Sequence, residues 1–205
     1  MTILSKQLRS IPMRYPFAFG VVISTVKTSF SDILVQKVVQ QKEEIDWKRN
    51  IAFATFGCFY LGAVQYAIYV PFFGRIFPNA EKFAGKPFRE KLKDKKGIFA
   101  VFAQVFLDQC VHHPLLYFPA FYCTKEFVMN HENPSIHNAL SLYQKNMKED
   151  LIALWKIWVP GTILNFSFMP MYMRIPWVAG TSLVWTMILS AMRGGDSLED
   201  EKIVG

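Results

Sequence analysis

Residues 50–74 read NIAFATFGCFYLGAVQYAIYVPFFG, a stretch of 25 residues without a charged side chain, enclosed by Arg49 and Arg75. A transmembrane helix needs about 20 consecutive and mostly apolar residues to cross the hydrocarbon core of a bilayer. A buried helix of a water-soluble domain rarely extends this far without a charged residue. The stretch therefore predicts a helix that spans a membrane.

Three other regions of the chain share this pattern. Residues 97–107 and 109–124 contain 11 and 16 uncharged residues, interrupted only by Asp108. Residues 157–173 and 175–192 contain 17 and 18 uncharged residues on either side of Arg174. We predict an all-α fold, a transmembrane bundle of four to five helices that forms a single integral membrane domain over residues 1–205.

The first apolar segment, residues 15–26, is harder to interpret. It resembles the apolar core of a signal peptide, but no small-residue cleavage site follows it. The chain continues as TSFSDILVQKVVQQ (28–41), which has the pattern of an amphipathic helix. We expect this helix to span with its polar side turned inward, and a position in the membrane interface is the alternative. Near the other end, the short link PMYMRIP (170–176) leaves open a kinked continuous helix and therefore four spans instead of five.

The composition is typical of a membrane protein and excludes a disordered chain. Hydrophobic residues make up 52% of the sequence, aromatic residues 16% and charged residues only 19%, and the formal net charge is +7. The positive charge makes membrane lipids, anionic ones above all, the expected partners. Basic residues are concentrated in an N-terminal arm (1–14) and a loop (75–96), whereas the tail (193–205) is acidic.

The distribution of charge supports alternating spans. If five helices alternate, the arm, the loop and Arg174 lie on one side, with 12 basic against three acidic residues. Basic loops stay on the side from which a membrane protein inserts. This side should therefore face the matrix or the cytosol.

Polar side chains recur every four residues in two of the apolar segments. One stripe begins at Gln104 and the other at Ser24, and residues four apart share one face of an α-helix. A charge at bilayer depth is costly. The stripes either line a water-filled path or hydrogen-bond across helices and hold the bundle together. The candidate pore or interhelical polar residues are Asp32, Gln36, Gln104, Asp108, Gln109, His112 and Asn165.

The motifs of soluble enzymes are absent from the sequence. The chain contains no Gly-rich phosphate loop, no H-E-x-x-H pair and no G-x-S-x-G elbow. We therefore assign no catalytic residue and do not expect an enzyme. Nucleic-acid binding is not expected either, because the basic residues lie beside the membrane segments.

Neither a metal nor a cofactor is expected. His112 and His113 are adjacent, and neighbours on an α-helix point about 100° apart, which is unfavourable for chelation. A bound phospholipid such as cardiolipin is expected instead, because basic residues beside a bilayer recognise anionic headgroups. The candidate headgroup ligands are Lys91, Lys93, Lys95, Lys96 and Arg174.

Several motifs resemble the Mpv-seventeen family, small integral proteins of the peroxisomal and inner mitochondrial membranes. LDQCVHHP (107–114) is similar to the family's D-Q-x-x-x-x-P element, and residues 158–190 resemble its W-P…N-F-x-x-x-P-x-x-x-R…W…L-S pattern. Upstream, SDILVQ and DWKR resemble G-D-x-x-x-Q and D-x-x-R. The residues at family positions are Asp46, Arg49, Pro114, Trp158, Phe166, Pro170, Arg174 and Trp185, together with Asp32, Gln36, Asn165 and Ser190.

The resemblance implies an α-helical membrane bundle without enzyme activity. It also implies a channel-like role for small solutes or metabolites and a part in mitochondrial membrane homeostasis. Two elements depart from the family. Its G-P-x-x-H-x-W-Y reads GAVQYAIY (62–69), without the Pro, the His and the Trp, and the Pro after Trp158 is displaced by one residue to Pro160. The alternative function is therefore a structural accessory subunit of a large inner-membrane respiratory complex, with the other subunits as partners.

The N-terminal region favours one organelle. The first 31 residues contain four basic and no acidic side chains, which suits mitochondrial import. We therefore expect a multi-pass protein of the mitochondrial inner membrane, and the peroxisomal membrane is the alternative.

Overall fold

The computed structural model describes residues 14–167 and 171–195, apart from the side chains of residues 80, 81, 165–167 and 171–176. All regular structure in this part of the chain is helical, so the predicted all-α class is confirmed. Two of the helices are long and apolar enough to cross a membrane, Pro16–Val39 and Trp47–Ile76. In chain order the helices are α1 (Pro16–Val39), α2 (Trp47–Ile76), α3 (Ala80–Gly85), α4 (Phe88–Lys93), α5 (95–129), α6 (Ile136–Ser167) and α7 (Met171–Arg193).

The helices α1 and α2 form an antiparallel hairpin. The ring of Phe17 meets the ring of Tyr66 edge-on, with 5.4 Å between the centroids. Towards the turn of the hairpin, Ser29 Oγ donates to Asn50 Oδ1 at 2.8 Å. The polar side of α1 faces the bundle, as predicted, because Thr28, Asp32 and Gln36 are all buried.

The connection between α1 and α2 is short and well defined. Gln41 adopts the left-handed backbone conformation with a φ of 52°, which reverses the chain after α1. The Asp46 side chain then accepts a hydrogen bond from the backbone N–H of Arg49 at 2.9 Å. This N-cap satisfies one of the free donors of the first turn and fixes the start of α2.

A glycine brings the two helices of the hairpin into close contact. A Cβ atom at Gly62 would lie 2.7 Å from the Cα atom of Val21, whereas one at Gly74 would meet nothing within 4 Å. Small residues at a helix crossing allow two backbones to approach, which is a common packing device in membranes. Gly62 is therefore required where α1 crosses α2.

We expect Gly62→Ala to lower the free energy of unfolding by about 1–3 kcal/mol, because the new methyl group must push the Val21 backbone away. The measurement is a denaturation curve of the purified protein in mixed detergent. Gly74→Ala on the same helix is the matched control and should leave the curve nearly unchanged, since its site is open. Equal curves for both variants would contradict the close packing of α1 on α2.

Four stretches of the long helices are π-helical. They cover Val35–Val39 in α1, Gly57–Val64 and Ile68–Phe72 in α2, and Leu107–Tyr117 in α5. Ile68–Phe72 contains Pro71 and Leu107–Tyr117 contains Pro114, and proline lacks the N–H that continues an α-helical ladder. In a π-helix the hydrogen bonds join residues i and i+5, so side chains five apart approach one another.

An aromatic core holds α2, α5, α6 and α7 together. Phe56 is at its centre, with ring centroids 5.3 Å from Tyr60, 5.2 Å from Tyr117 and 5.2 Å from Phe121. Offset and edge-to-face ring pairs stabilise beyond the burial of their area. The outer surface is also aromatic, since Phe59, Phe99 and Phe102 are 68%, 72% and 68% exposed, as suits a bundle surrounded by lipid.

Candidate functional site

A cavity of about 500 Å³ lies between α1, α2, α5, α6 and α7. Aromatic side chains form much of its wall: Tyr66, Tyr69, Tyr117, Trp158, Trp177 and Trp185. Polar side chains also reach it from four helices: Gln65, Asp108, His113, Thr162, Thr181, Ser182 and Thr186. Small-molecule sites commonly have this size and this mixture of apolar wall and few polar groups.

Asp108 is the carboxylate of the cavity wall, and three side chains form hydrogen bonds with it. Tyr69 donates its hydroxyl to Oδ1 at 2.5 Å, and His112 Nδ1 lies 2.9 Å from the same oxygen. Gln109 Nε2 donates to Oδ2 at 2.8 Å. His112 is anchored in turn, because its Nε2 lies 2.9 Å from the hydroxyl of Tyr60.

The π-helix of α5 places both histidines beside this carboxylate. His113 Nδ1 lies 2.6 Å from the backbone oxygen of Asp108, five residues earlier, and the two imidazole centroids are 4.9 Å apart. The prediction of unfavourable chelation considered only the two neighbouring histidines in an α-helix, whereas the π-helix also brings Asp108 and His113, five residues apart, together. Asp108, His112 and His113 each present a ligand-type atom within 4.8 Å of the others, so this is the one group in the described part of the chain with metal-ligand character.

A second polar cluster lies at the end of the bundle where α1 meets α2, and we call it the Arg49 cluster. Arg49 Nε donates to Asp32 Oδ1 at 2.7 Å, and its Nη2 donates to Ser190 Oγ at 2.7 Å. Ser190 Oγ also donates to Asp32 Oδ1 at 2.7 Å. Gln36 Nε2 and Asn50 Nδ2 donate to Asp32 Oδ2 at 2.7 and 3.1 Å.

The Arg49 cluster is an interhelical lock and not part of the cavity wall. The side chains of Arg49 and Asp32 are only 1% and 0% exposed, and their charges neutralise each other. The cluster joins α1, α2 and α7. Of the two interpretations open for the stripe on α1, the structure therefore supports interhelical hydrogen bonding for Asp32 and Gln36.

The other predicted polar residues have different positions. Gln104 is partly exposed and does not line the cavity. Gln109 is buried, donates to Asp108, and accepts from Trp155 Nε1 through its backbone oxygen at 3.2 Å. Pro170 and the side chains of Asn165, Phe166 and Arg174 lie outside the described residues.

The remaining residues of the family-like motifs contribute to packing or to the cavity. The backbone oxygen of Pro114 accepts from the hydroxyl of Tyr143 at 2.8 Å. Trp185 is buried and donates from Nε1 to the hydroxyl of Tyr117 at 2.9 Å. Trp158 lines the cavity. These contacts connect α5, α6 and α7 around the site.

The predicted headgroup lysines do not form one exposed set. Lys91 is only 7% exposed, and its Nζ lies 5.9 Å from the ring centroid of Phe83. This burial disfavours a headgroup contact, because the ammonium group lies over the ring of Phe83 on α3. Lys93, Lys95 and Lys96 are exposed and remain predicted lipid contacts.

Sequence reasoning missed two charged groups. Arg193 Nε donates to Asp150 Oδ1 at 2.7 Å, and this pair ties the end of α7 to α6. Lys27, in the middle of α1, donates from Nζ to Ser182 Oγ on the cavity wall. Lys27 could have been found from its position, because it is a charge twelve residues into a 24-residue apolar helix.

One comparison with known proteins gives a match. Residues 131–190 match the model of the Mpv17 / PMP22 family. The matched region covers α6 and most of α7, and includes Trp158, Trp185 and Ser190. No curated protein and no solved structure matches the chain.

Proposed function

Since residues 131–190 match the model of the Mpv17 / PMP22 family, we propose that the chain is a member of this family and a multi-pass membrane protein with a channel-like path for small solutes or metabolites. The single observation that carries this proposal is the cavity of about 500 Å³, with Asp108 in its wall. Polar and ionisable groups inside membrane segments are costly and commonly mark pathways for solutes or ions. The family resemblance adds a role in mitochondrial membrane homeostasis.

The five long helices are the proposed spans. The helices α1 and α2 have the length and hydropathy for crossing a bilayer, and α5, α6 and α7 pack against them around the cavity. The polar side chains at the cavity face the interior of the bundle, where a membrane protein places such groups. This arrangement supports five spans, and four spans with a kinked last segment are the alternative.

The proposed location is the mitochondrial inner membrane, and the peroxisomal membrane is the alternative. Support comes from the basic residues without acidic ones in the first 31 positions. The exposed Lys93, Lys95 and Lys96 would contact an anionic headgroup such as that of cardiolipin. We propose no enzyme activity and no resident cofactor.

A structural accessory subunit of a respiratory complex is the second candidate function. The observation that favours it is the closure of the Arg49 cluster, in which Asp32 and Gln36 serve packing instead of a path. A native gel of mildly solubilised mitochondrial membranes separates the two functions. Migration as a small species supports the channel, and co-migration with a megadalton complex supports the subunit.

We expect Asp108→Asn to change the ratio of cation to anion permeability several-fold in the reconstituted protein. Asparagine keeps the shape of the side chain and removes only the charge from the cavity wall, and rings of charge set ion selectivity in pores. The measurement is the reversal potential under a salt gradient in planar bilayers.

Asp94→Asn is the matched control for this prediction. It removes one carboxylate from the loop before α5, outside the cavity, and should leave the reversal potential unchanged. If Asp108→Asn folds like the parent protein and shows the same reversal potential, Asp108 does not lie on the permeation path.

A further inference from the structure

The cation at the centre of α1 has no carboxylate partner in the described part of the chain. Lys27 is the twelfth residue of the 24-residue helix Pro16–Val39, and its Nζ donates only to Ser182 Oγ. An ammonium group has three donors. A charge at this depth is costly unless it pairs, so Lys27 has unused capacity to bind an acceptor.

Lys27 is not itself a lining residue of the cavity, but its partner Ser182 is, and a second unused donor belongs to another residue of the cavity wall. The indole Nε1 of Trp158 is buried and has no hydrogen-bond partner among the described residues. Buried polar groups are nearly always hydrogen-bonded, and an exception requires an explanation. Trp158 lines the cavity, as does Ser182, the acceptor of Lys27. Both unsatisfied groups are donors, one of them charged.

The carboxylate and the threonine hydroxyls at the cavity, unlike these two donors, already have hydrogen-bond partners. Asp108 already has hydrogen-bond partners in Tyr69, Gln109 and His112. Thr181 and Thr186 donate their hydroxyls to backbone oxygens one turn earlier. Gln109 Oε1 is a buried acceptor without a partner among the described residues, but Gln109 does not line the cavity. The donors with unused capacity, Trp158 Nε1 and Lys27 Nζ, therefore require an acceptor on the occupant.

We propose that the cavity binds the oxyanion group of a small organic solute, a carboxylate or a phosphate ester, through Lys27 Nζ and Trp158 Nε1. Charge-assisted hydrogen bonds from an ammonium to such oxygens are strong. The aromatic wall receives the apolar body of the solute. This proposal deepens the proposed function and rests on it for the transport role, but the binding site can be tested without transport.

The test is a binding titration of the full-length protein in nanodiscs of neutral phosphatidylcholine. Three of the five tryptophans line the cavity, so intrinsic fluorescence reports its occupation. The probes are benzoate and phenyl phosphate, with benzylamine as a cation of similar shape. We expect both anions to bind and benzylamine not to.

Lys27→Gln should weaken benzoate binding by at least about tenfold, because it removes the charge and keeps a donor for Ser182. Lys48→Gln is the matched control, since it removes the same charge from an exposed position on α2. Trp158→Phe keeps an aromatic ring and should weaken binding less than Lys27→Gln. Equal benzoate affinity in the parent and in Lys27→Gln, preferential binding of benzylamine, or no binding of any probe would overturn the proposal.

Two further comparisons identify the source of the oxyanion and separate this proposal from the channel. In the first, phosphatidic acid is added to the nanodisc. If it displaces benzoate, the natural ligand group is a lipid headgroup. If the benzoate affinity is unchanged, the natural ligand is a soluble solute. Benzoate binding without any conductance in bilayers would overturn the channel and sustain the anion site. Conductance with equal benzoate affinity in the parent and in Lys27→Gln would overturn the anion site alone.

Discussion

Replacement of Arg49 by leucine is expected to lower the free energy of unfolding by about 3–5 kcal/mol, because it breaks a buried ion pair. The side chains of Arg49 and Asp32 are 1% and 0% exposed and joined at 2.7 Å. Without the guanidinium, Asp32 keeps a buried charge that Gln36 and Asn50 can hydrogen-bond but cannot neutralise. Breaking one half of a buried pair is costly for this reason.

The measurement is the unfolding midpoint of the purified protein in detergent, followed by circular dichroism. Lys48→Leu, one residue away and exposed, is the control and should change the midpoint little. The double variant Asp32→Leu/Arg49→Leu should recover much of the lost stability, because no isolated charge is left. An Arg49→Leu protein as stable as the parent would show that the pair is not buried in the folded bundle.

Phe56→Ala is expected to cost about 3–5 kcal/mol of stability. Phe56 is 1% exposed and its ring lies 5.2 to 5.3 Å from three other rings. Its removal leaves a cavity where α2 meets α5, and the neighbours are fixed on separate helices and cannot fill it. In a membrane the loss is mainly one of packing contacts, since lipid also surrounds the unfolded helices.

Phe59→Ala is the control for this prediction, because Phe59 is on the same helix and 68% exposed. It removes the same group from the outer surface, where lipid or detergent takes its place. The difference between the two unfolding midpoints therefore measures the contribution of packing in the core, because both variants lose the same side-chain group. Equal midpoints would contradict the central position of Phe56 in the aromatic core.

The long uncharged stretches predict the fold well, because a bilayer sets both helix length and polarity. The inward direction of Asp32 and Gln36 also follows from four-residue spacing. The partners of these residues do not follow from spacing, since Arg49 and Ser190 are 17 and 158 positions away from Asp32. The family resemblance indicates each of these residues separately as a motif position. Only the structure shows that they meet in one cluster.

The arrangement of the histidines could not be predicted, because helical periodicity was taken as that of an α-helix. The π-helix Leu107–Tyr117 changes which side chains share a face, and Pro114 was the only local signal of an altered ladder. The partner of Lys27 could not be predicted for another reason, because Ser182 lies 155 positions further along the chain.

The Arg49 cluster also has a consequence for biogenesis. Asp32 and Arg49 belong to the first hairpin and can neutralise each other as soon as it forms, whereas Ser190 belongs to the last helix. A chain truncated before residue 190 presents the paired charges on an uncovered face, and Arg49 Nη2 lacks both acceptors that Ser190 provides. Closure of the cluster therefore waits for α7, and such a truncated chain should be degraded faster by membrane quality-control proteases than a chain that includes α7.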